Sequence, residues 1–225
     1  MIRVIGIPLL GIRLLGIRLL GAIVLLSTGI STALADEGKP SVDFDKGGVI
    51  VEVGSFFKGT GVTSGPAGQT GVAALALATD TGLYSFLETP QNQERLAAIE
   101  PGSVVRINGK LLEKGALLHI TALERASEIS LDLDLAGLRS APGRTVSLKG
   151  TNKCQCGLDV ADLPHSCTLG HLHHLEAEDG KIYHYLKNDT GAGLFAGKDS
   201  HFKAVEVRGR LFPGHYLSIE KAAVN

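Results

Sequence analysis

Several absences bound the reading of this 225-residue chain. It has no tryptophan, only 5% aromatic residues, and a single methionine at position 1. Its three cysteines form no Cys-x-x-Cys pair, and Cys-x-x-Cys-His and His-Glu-x-x-His are missing as well. Standard zinc-ribbon, haem-attachment and zinc-protease patterns are thereby excluded. There is no Gly-x-Ser-x-Gly elbow, no paired catalytic carboxylate signature and no phosphate loop. The stretch "GTGVTSGPAG" is glycine-rich but fits neither a dinucleotide nor a Walker pattern. No nucleophile, general base and oxyanion donor can be grouped, so little speaks for an enzyme. Neither sign of charge dominates, with 22 Lys and Arg against 23 Asp and Glu. That balance lacks the basic footprint of a nucleic-acid binder.

Residues 1–35 read as a signal peptide. Arg3, Arg13 and Arg18 precede an uncharged run from Leu19 to Ile30, and Ala33-Leu34-Ala35 supplies a small-x-small cleavage pattern before Asp36. The run is shorter than the ~20 apolar residues a membrane span needs. No stable span is expected after cleavage. No cysteine follows the run to carry a lipid. The pentads Gly6–Leu10, Gly11–Leu15 and Gly16–Leu20 repeat within this segment and carry no argued function. Loss of the segment removes three arginines and no acid, leaving a net charge of about −4. An acidic exported protein is a poor partner for nucleic acid or anionic lipid. Loss of Met1 also leaves no thioether, which excludes a thioether copper site.

Twenty-nine glycines suggest many turns and a β-rich chain. A diverged internal repeat supports this. Val105-Arg106-Ile107-Asn108-Gly109-Lys110 matches Val205-Glu206-Val207-Arg208-Gly209-Arg210, and Leu83–Leu87 matches Ile182–Leu186. Strands are expected over 49–53, 72–79, 83–87, 103–112 and 116–123. Thr89-Pro90 starts a short helix that stops near Pro101, with Thr as cap and Pro at the first helical position. In the second copy "TGAGLFAG" allows one helical turn at most. Ile129, Leu131, Leu133 and Leu135 alternate with polar residues and read as a trailing strand. The expected organisation is residues 1–35 as signal, 36–140 as a first β domain and 141–225 as a second.

The order β-β-β-α-β-β in about 80 residues is that of an OB-fold barrel. The phrase "VVRINGKLLEKGALLHITALE" resembles the last two strands of OB-like domains in small exported bacterial proteins. The resemblance implies two tandem OB-like barrels and no specific function.

The stretch "CQCGLDVADLPHSCTLGHLHH" holds all three cysteines and four of the eight histidines. It falls in the first loop of the second copy. The loop of the first copy, 59–71, has neither residue type. If Lys58-Gly59-Thr60 matches Lys149-Gly150-Thr151, the second copy carries an insertion of about seven residues there. The candidate ligands are Cys154, Cys156, Cys167, His165, His171, His173 and His174. Thiolates and imidazoles suit Zn²⁺ or copper. A structural zinc would take the three cysteines with His165 or His171. A disulfide from Cys167 to Cys154 or Cys156 would instead brace the loop and leave one thiol over. A low-pKa thiol for redox chemistry is a third reading. The strand "HLHHLEAE" places His171 and His173 on one face and His174 on the other. Solvation is the plain expectation for any single histidine there. His201 and His215 read as surface residues near turns. The leading expectation is an exported zinc- or copper-binding protein. The alternative is a non-catalytic module that binds an envelope protein, its loop braced by a disulfide.

Overall fold

A computed structural model describes residues 41–57, 74–126, 132–154, 158, 173–186, 188–195 and 198–225. The expected signal segment lies outside the described residues. Ten strands build two closed five-stranded sheets. The first contains β1 (Ser41–Glu52), β2 (Leu75–Thr79), β3 (Gly82–Phe86), β4 (Val104–Leu112) and β5 (Leu117–Arg125). They run in the order β1-β2-β3-β5-β4, and β4 returns to pair with β1. The second contains β6 (Arg144–Cys154), β7 (His173–Ala177), β8 (Ile182–Leu186), β9 (Ala204–Phe212) and β10 (Tyr216–Val224) in the equivalent order. Every pairing is antiparallel except β3 with β5 and β8 with β10. This order is compatible with an OB-like barrel.

Helices α1 (Val53–Phe56), α2 (Pro90–Leu96), α3 (Leu135–Ser140) and α4 (Ala192–Phe195) complete the described elements with short 3-10 turns. The start of α2 follows from its chemistry. Pro90 sits where no backbone donor is needed, and Thr89 Oγ1 accepts a hydrogen bond from Asn92 N (3.1 Å). Asn92 is fully buried. It donates to the carbonyls of Leu87 and Leu118 and accepts from Ile120 N, tying α2 to the β3–β5 seam. Phe44, Ile50, Leu77, Phe86, Val105, Ile107 and Leu118 fill the first barrel. Leu175, Tyr183, Tyr185, Val205, Val207 and Leu217 fill the second.

Two expectations change. Residues 132–134 are not strand, and α3 begins at Leu135 where the trailing strand was expected to continue. Asp134 Oδ1 accepts from Gly137 N (2.7 Å), and this local bond favours a helix start over an extended chain. The described Leu133, Leu135 and Leu138 pack against one apolar cluster; Leu135 and Leu138 stand at i, i+3, a spacing a helix brings to one face and strict alternation does not. The loop comparison also reverses. Gly48 pairs with Val105 and Gly150 pairs with Val205, so Gly48 and Gly150 are the equivalent residues. The Lys58-Gly59-Thr60 match is therefore false. Between β1 and β2 lie residues 53–74, 22 in all, against 18 at 155–172 between β6 and β7. The Cys/His loop is shorter than its counterpart by four residues and is no insertion.

The barrels dock on each other through equivalent surfaces. Ser85 pairs with Leu117, and His184 with Tyr216, so residues 99 apart correspond along these seams. A Cβ on Gly115 would stand 2.8 Å from Ile182 Cβ, and one on Gly214 would stand 2.7 Å from Leu83 O. Gly115 and Gly214, like Leu83 and Ile182, are such corresponding pairs, which is the signature of a twofold-like contact. Leu87, Leu112, Leu117, Leu158 and Ile182 form one apolar cluster. Leu186, Phe212, Tyr216, Leu83 and Phe57 belong to another. Ser85 Oγ donates to Tyr216 Oη (2.7 Å) across the contact. Docking covers the outer faces of β2 and β8, and for that reason Ala76–Thr79 and Ile182–Leu186 are buried at every position.

His184 lies in this contact, and its Nε2–H donates to Gly115 O (2.6 Å). Burial pushes its pKa down from 6.5 to about 4, against that bond. The folded state therefore keeps the ring neutral where an unfolded chain takes up a proton. Its stabilising share is complete above pH 6.5 and is lost as pH falls from there toward 4. The expected loss is roughly 3 kcal/mol. Urea unfolding across this range checks it, and His184→Gln is expected to flatten the slope.

Candidate metal centre

The Cys/His loop 155–172 springs from the mouth of the second barrel. β6 ends at Cys154 and β7 begins at His173, and these two residues are directly opposed in the antiparallel register. Opposed residues share a face, so Cys154 and His173 point the same way as Asn152 and Leu175, into the barrel. Both are buried, at 1% and 6% exposure. The loop is thus bounded by a cysteine and a histidine that the sheet itself holds side by side. Cys156, His165, Cys167 and His171, together with either disulfide from Cys167, lie outside the described residues.

His173 is oriented by its surroundings. Its Nδ1 lies 2.7 Å from Leu194 O, at the α4 turn. A carbonyl only accepts, so Nδ1 carries the proton and Nε2 the lone pair. A backbone carbonyl holding one ring nitrogen is the arrangement that orients metal-binding histidines. Asn152 supports the same turn. Its amide nitrogen lies 3.1 Å from Leu194 O, 3.1 Å from Ser200 O and 3.0 Å from Ser200 Oγ. Asn152 is fully buried, and its Oδ1 finds no hydrogen-bond partner among the described residues. The equivalent residue in the first barrel is Ile50, which also pairs with a leucine, Leu77. A polar group thus replaces an apolar one under the mouth that carries the Cys/His loop.

His201 joins this group from the turn before β9. Its ring stacks on His173 with centroids 5.0 Å apart and planes 12° apart, and Phe202 lies 4.2 Å from His201. Reading His201 as an ordinary surface residue is thereby corrected. Phe202 is 57% exposed and adopts φ 56°, a region costly for a bulky side chain. Its N donates to Asn152 O, as Gly102 N donates to Ile50 O in the first barrel, where φ is 92°. Phe202→Gly is therefore expected to raise stability by about 1 kcal/mol, read from the urea midpoint. Aligning "EPGSVV" with "SHFKAV" would have found both residues, since His201 falls on Pro101 and Phe202 on Gly102.

His174 takes the opposite face. It pairs with His184 across β7 and β8 and is buried at 1% exposure on the side covered by the first barrel. The solvated reading is corrected for His173 and His174, and His174 is separated from the Cys154–His173 pair by the sheet. His215 is likewise not free at the surface, for its Nδ1 lies 3.0 Å from Ile182 O. Glu88, beside the Leu87–Leu158 contact, was not singled out from the sequence, and burial raises its carboxyl to about 7. Among the described residues no three His, Cys, Asp or Glu side chains converge to hold a metal ion. Among them also, no helix is long and apolar enough to cross a membrane. No family model, curated protein or solved structure matches the chain.

Proposed function

We propose that this chain is an exported protein of two tandem OB-like barrels that binds a transition-metal ion, zinc or copper, at the mouth of the second. The observation that carries the reading is the opposed pair Cys154 and His173, with His173 Nδ1 held by Leu194 O. A thiolate and an imidazole Nε2 from neighbouring strands make a preformed half-site for a soft or borderline cation. The loop they anchor carries Cys156, His165, Cys167 and His171 in sequence, enough donors for the remaining positions. His174, on the other face, is not part of the set. Metal binding would fold the loop onto the barrel, either to deliver the ion or to shape a partner-binding surface. Thiol alkylation with mass spectrometry tests the reading on the mature protein. Zinc-dependent protection of all three cysteines under reducing conditions is expected. A disulfide that persists in the native protein, with one thiol modified regardless of metal, would favour the braced interaction module.

A further inference from the structure

A second candidate site lies on the first barrel. A cleft of about 310 Å³ runs between the end of β1, the Pro101–Gly102 turn and α3. That is the lower end of the range for small-molecule sites. Val49, Val51, Phe56 and Leu135 give it an apolar lining. At Gly102 an added Cβ would meet nothing within 4 Å, so this wall stands open. Two charged side chains line the cleft, Glu52 and Arg139. They differ in their ties. The carboxylate of Glu52 accepts a hydrogen bond from Ser55 Oγ. The Arg139 guanidinium lies 5.4 Å over the Phe56 ring and makes no ion pair with any described residue.

We infer that this cleft binds a small amphipathic carboxylate, its apolar body against Val49, Val51, Phe56 and Leu135 and its carboxylate on Arg139. A guanidinium stacked on a ring keeps its donor edge for a planar anion, and carboxylate is the best geometric match. Glu52 at the same cleft disfavours a second negative charge, so a monoanion fits and a phosphate dianion does not. The apolar lining asks for a hydrocarbon chain rather than a polyol. The site uses no metal ligand and stands whether or not the second barrel binds metal.

Octanoate is the probe, titrated into the full mature protein with chelator present and followed by amide chemical shifts. Saturable shifts at residues 49–56, 102 and 135–139 are expected, with octanol binding more weakly. Arg139→Gln is expected to weaken octanoate roughly tenfold or more while octanol is unchanged. Arg139 is exposed, so the variant is expected to fold. As a check on the unaltered protein, added salt weakens octanoate and spares octanol. No saturable octanoate binding, or equal octanoate affinity in Arg139→Gln, overturns the inference.

Discussion

Gly209→Ala is expected to unfold the second barrel at denaturant concentrations the unaltered protein withstands. A Cβ at Gly209 would stand 2.0 Å from Ser218 O, and one at Gly109 would stand 2.2 Å from His119 O. Both distances are to backbone that cannot rotate away. Each glycine sits where the register slips against the following strand, between Asn108 and Gly109 in one barrel and opposite Ile219 and Lys221 in the other. Such a slip marks a β-bulge, which bends the strand and brings the partner backbone close. Relief requires the barrel to open at the β4–β5 or β9–β10 seam. The expected cost is about 3 kcal/mol or more, a large share of the roughly 5–15 kcal/mol that holds a domain together. Urea midpoints of Gly109→Ala and Gly209→Ala measure it. Gly193→Ala is the control, since a Cβ there meets nothing within 4 Å and its midpoint is expected to hold.

The second large effect concerns the proposed metal site. Cys154→Ser and His173→Ala are each expected to weaken zinc binding by a hundredfold or more, roughly 3 kcal/mol. His174→Ala, one residue away, is expected to leave zinc affinity unchanged and to lower stability instead. The contrast follows from the sheet. Cys154 and His173 share the interior face, whereas His174 lies beside His184 under the first barrel. A cluster that bound metal merely through local density of histidine would respond to both substitutions alike. Isothermal titration under reducing conditions separates the two behaviours, with urea unfolding as the stability readout.

Local chemistry made much of the fold legible. Thr89-Pro90 marked α2, and the repeated Val-x-Val/Ile-x-Gly-Lys/Arg phrase marked the bulged strands of both barrels. The short turn of α4 also agreed with "TGAGLFAG". What escaped depends on contacts far apart in sequence. The docking of two barrels through equivalent faces buries His184 and also His174, which as an isolated strand residue reads as solvated. It also buries Ala76, Ala78 and Leu186, whose outer positions alternation alone would give to water. The loop length was misjudged because three residues, Lys58-Gly59-Thr60, matched by chance. The β1 and β6 registers place the correspondence at Gly48 and Gly150 instead. With that register, the exchange of Ile50 for Asn152 becomes visible in the sequence, and the match of Val105–Lys110 with Val205–Arg210 already set Phe202 against Gly102. Both changes fall at the mouth of the second barrel. The helix at 135–140 was hidden because leucines at 133 and 135 continue an alternating pattern until Asp134 caps the turn.

The proposed metal site is built on Cys154 and His173. Its most direct test is metal stoichiometry of the mature protein by native mass spectrometry, after loading with Zn²⁺ or Cu⁺ under reducing conditions and exhaustive dialysis. The expected result is about one ion per chain, lost in the Cys154→Ser, His173→Ala double variant. A protein that retains no ion, or a double variant that retains it at the same stoichiometry, would contradict the claim.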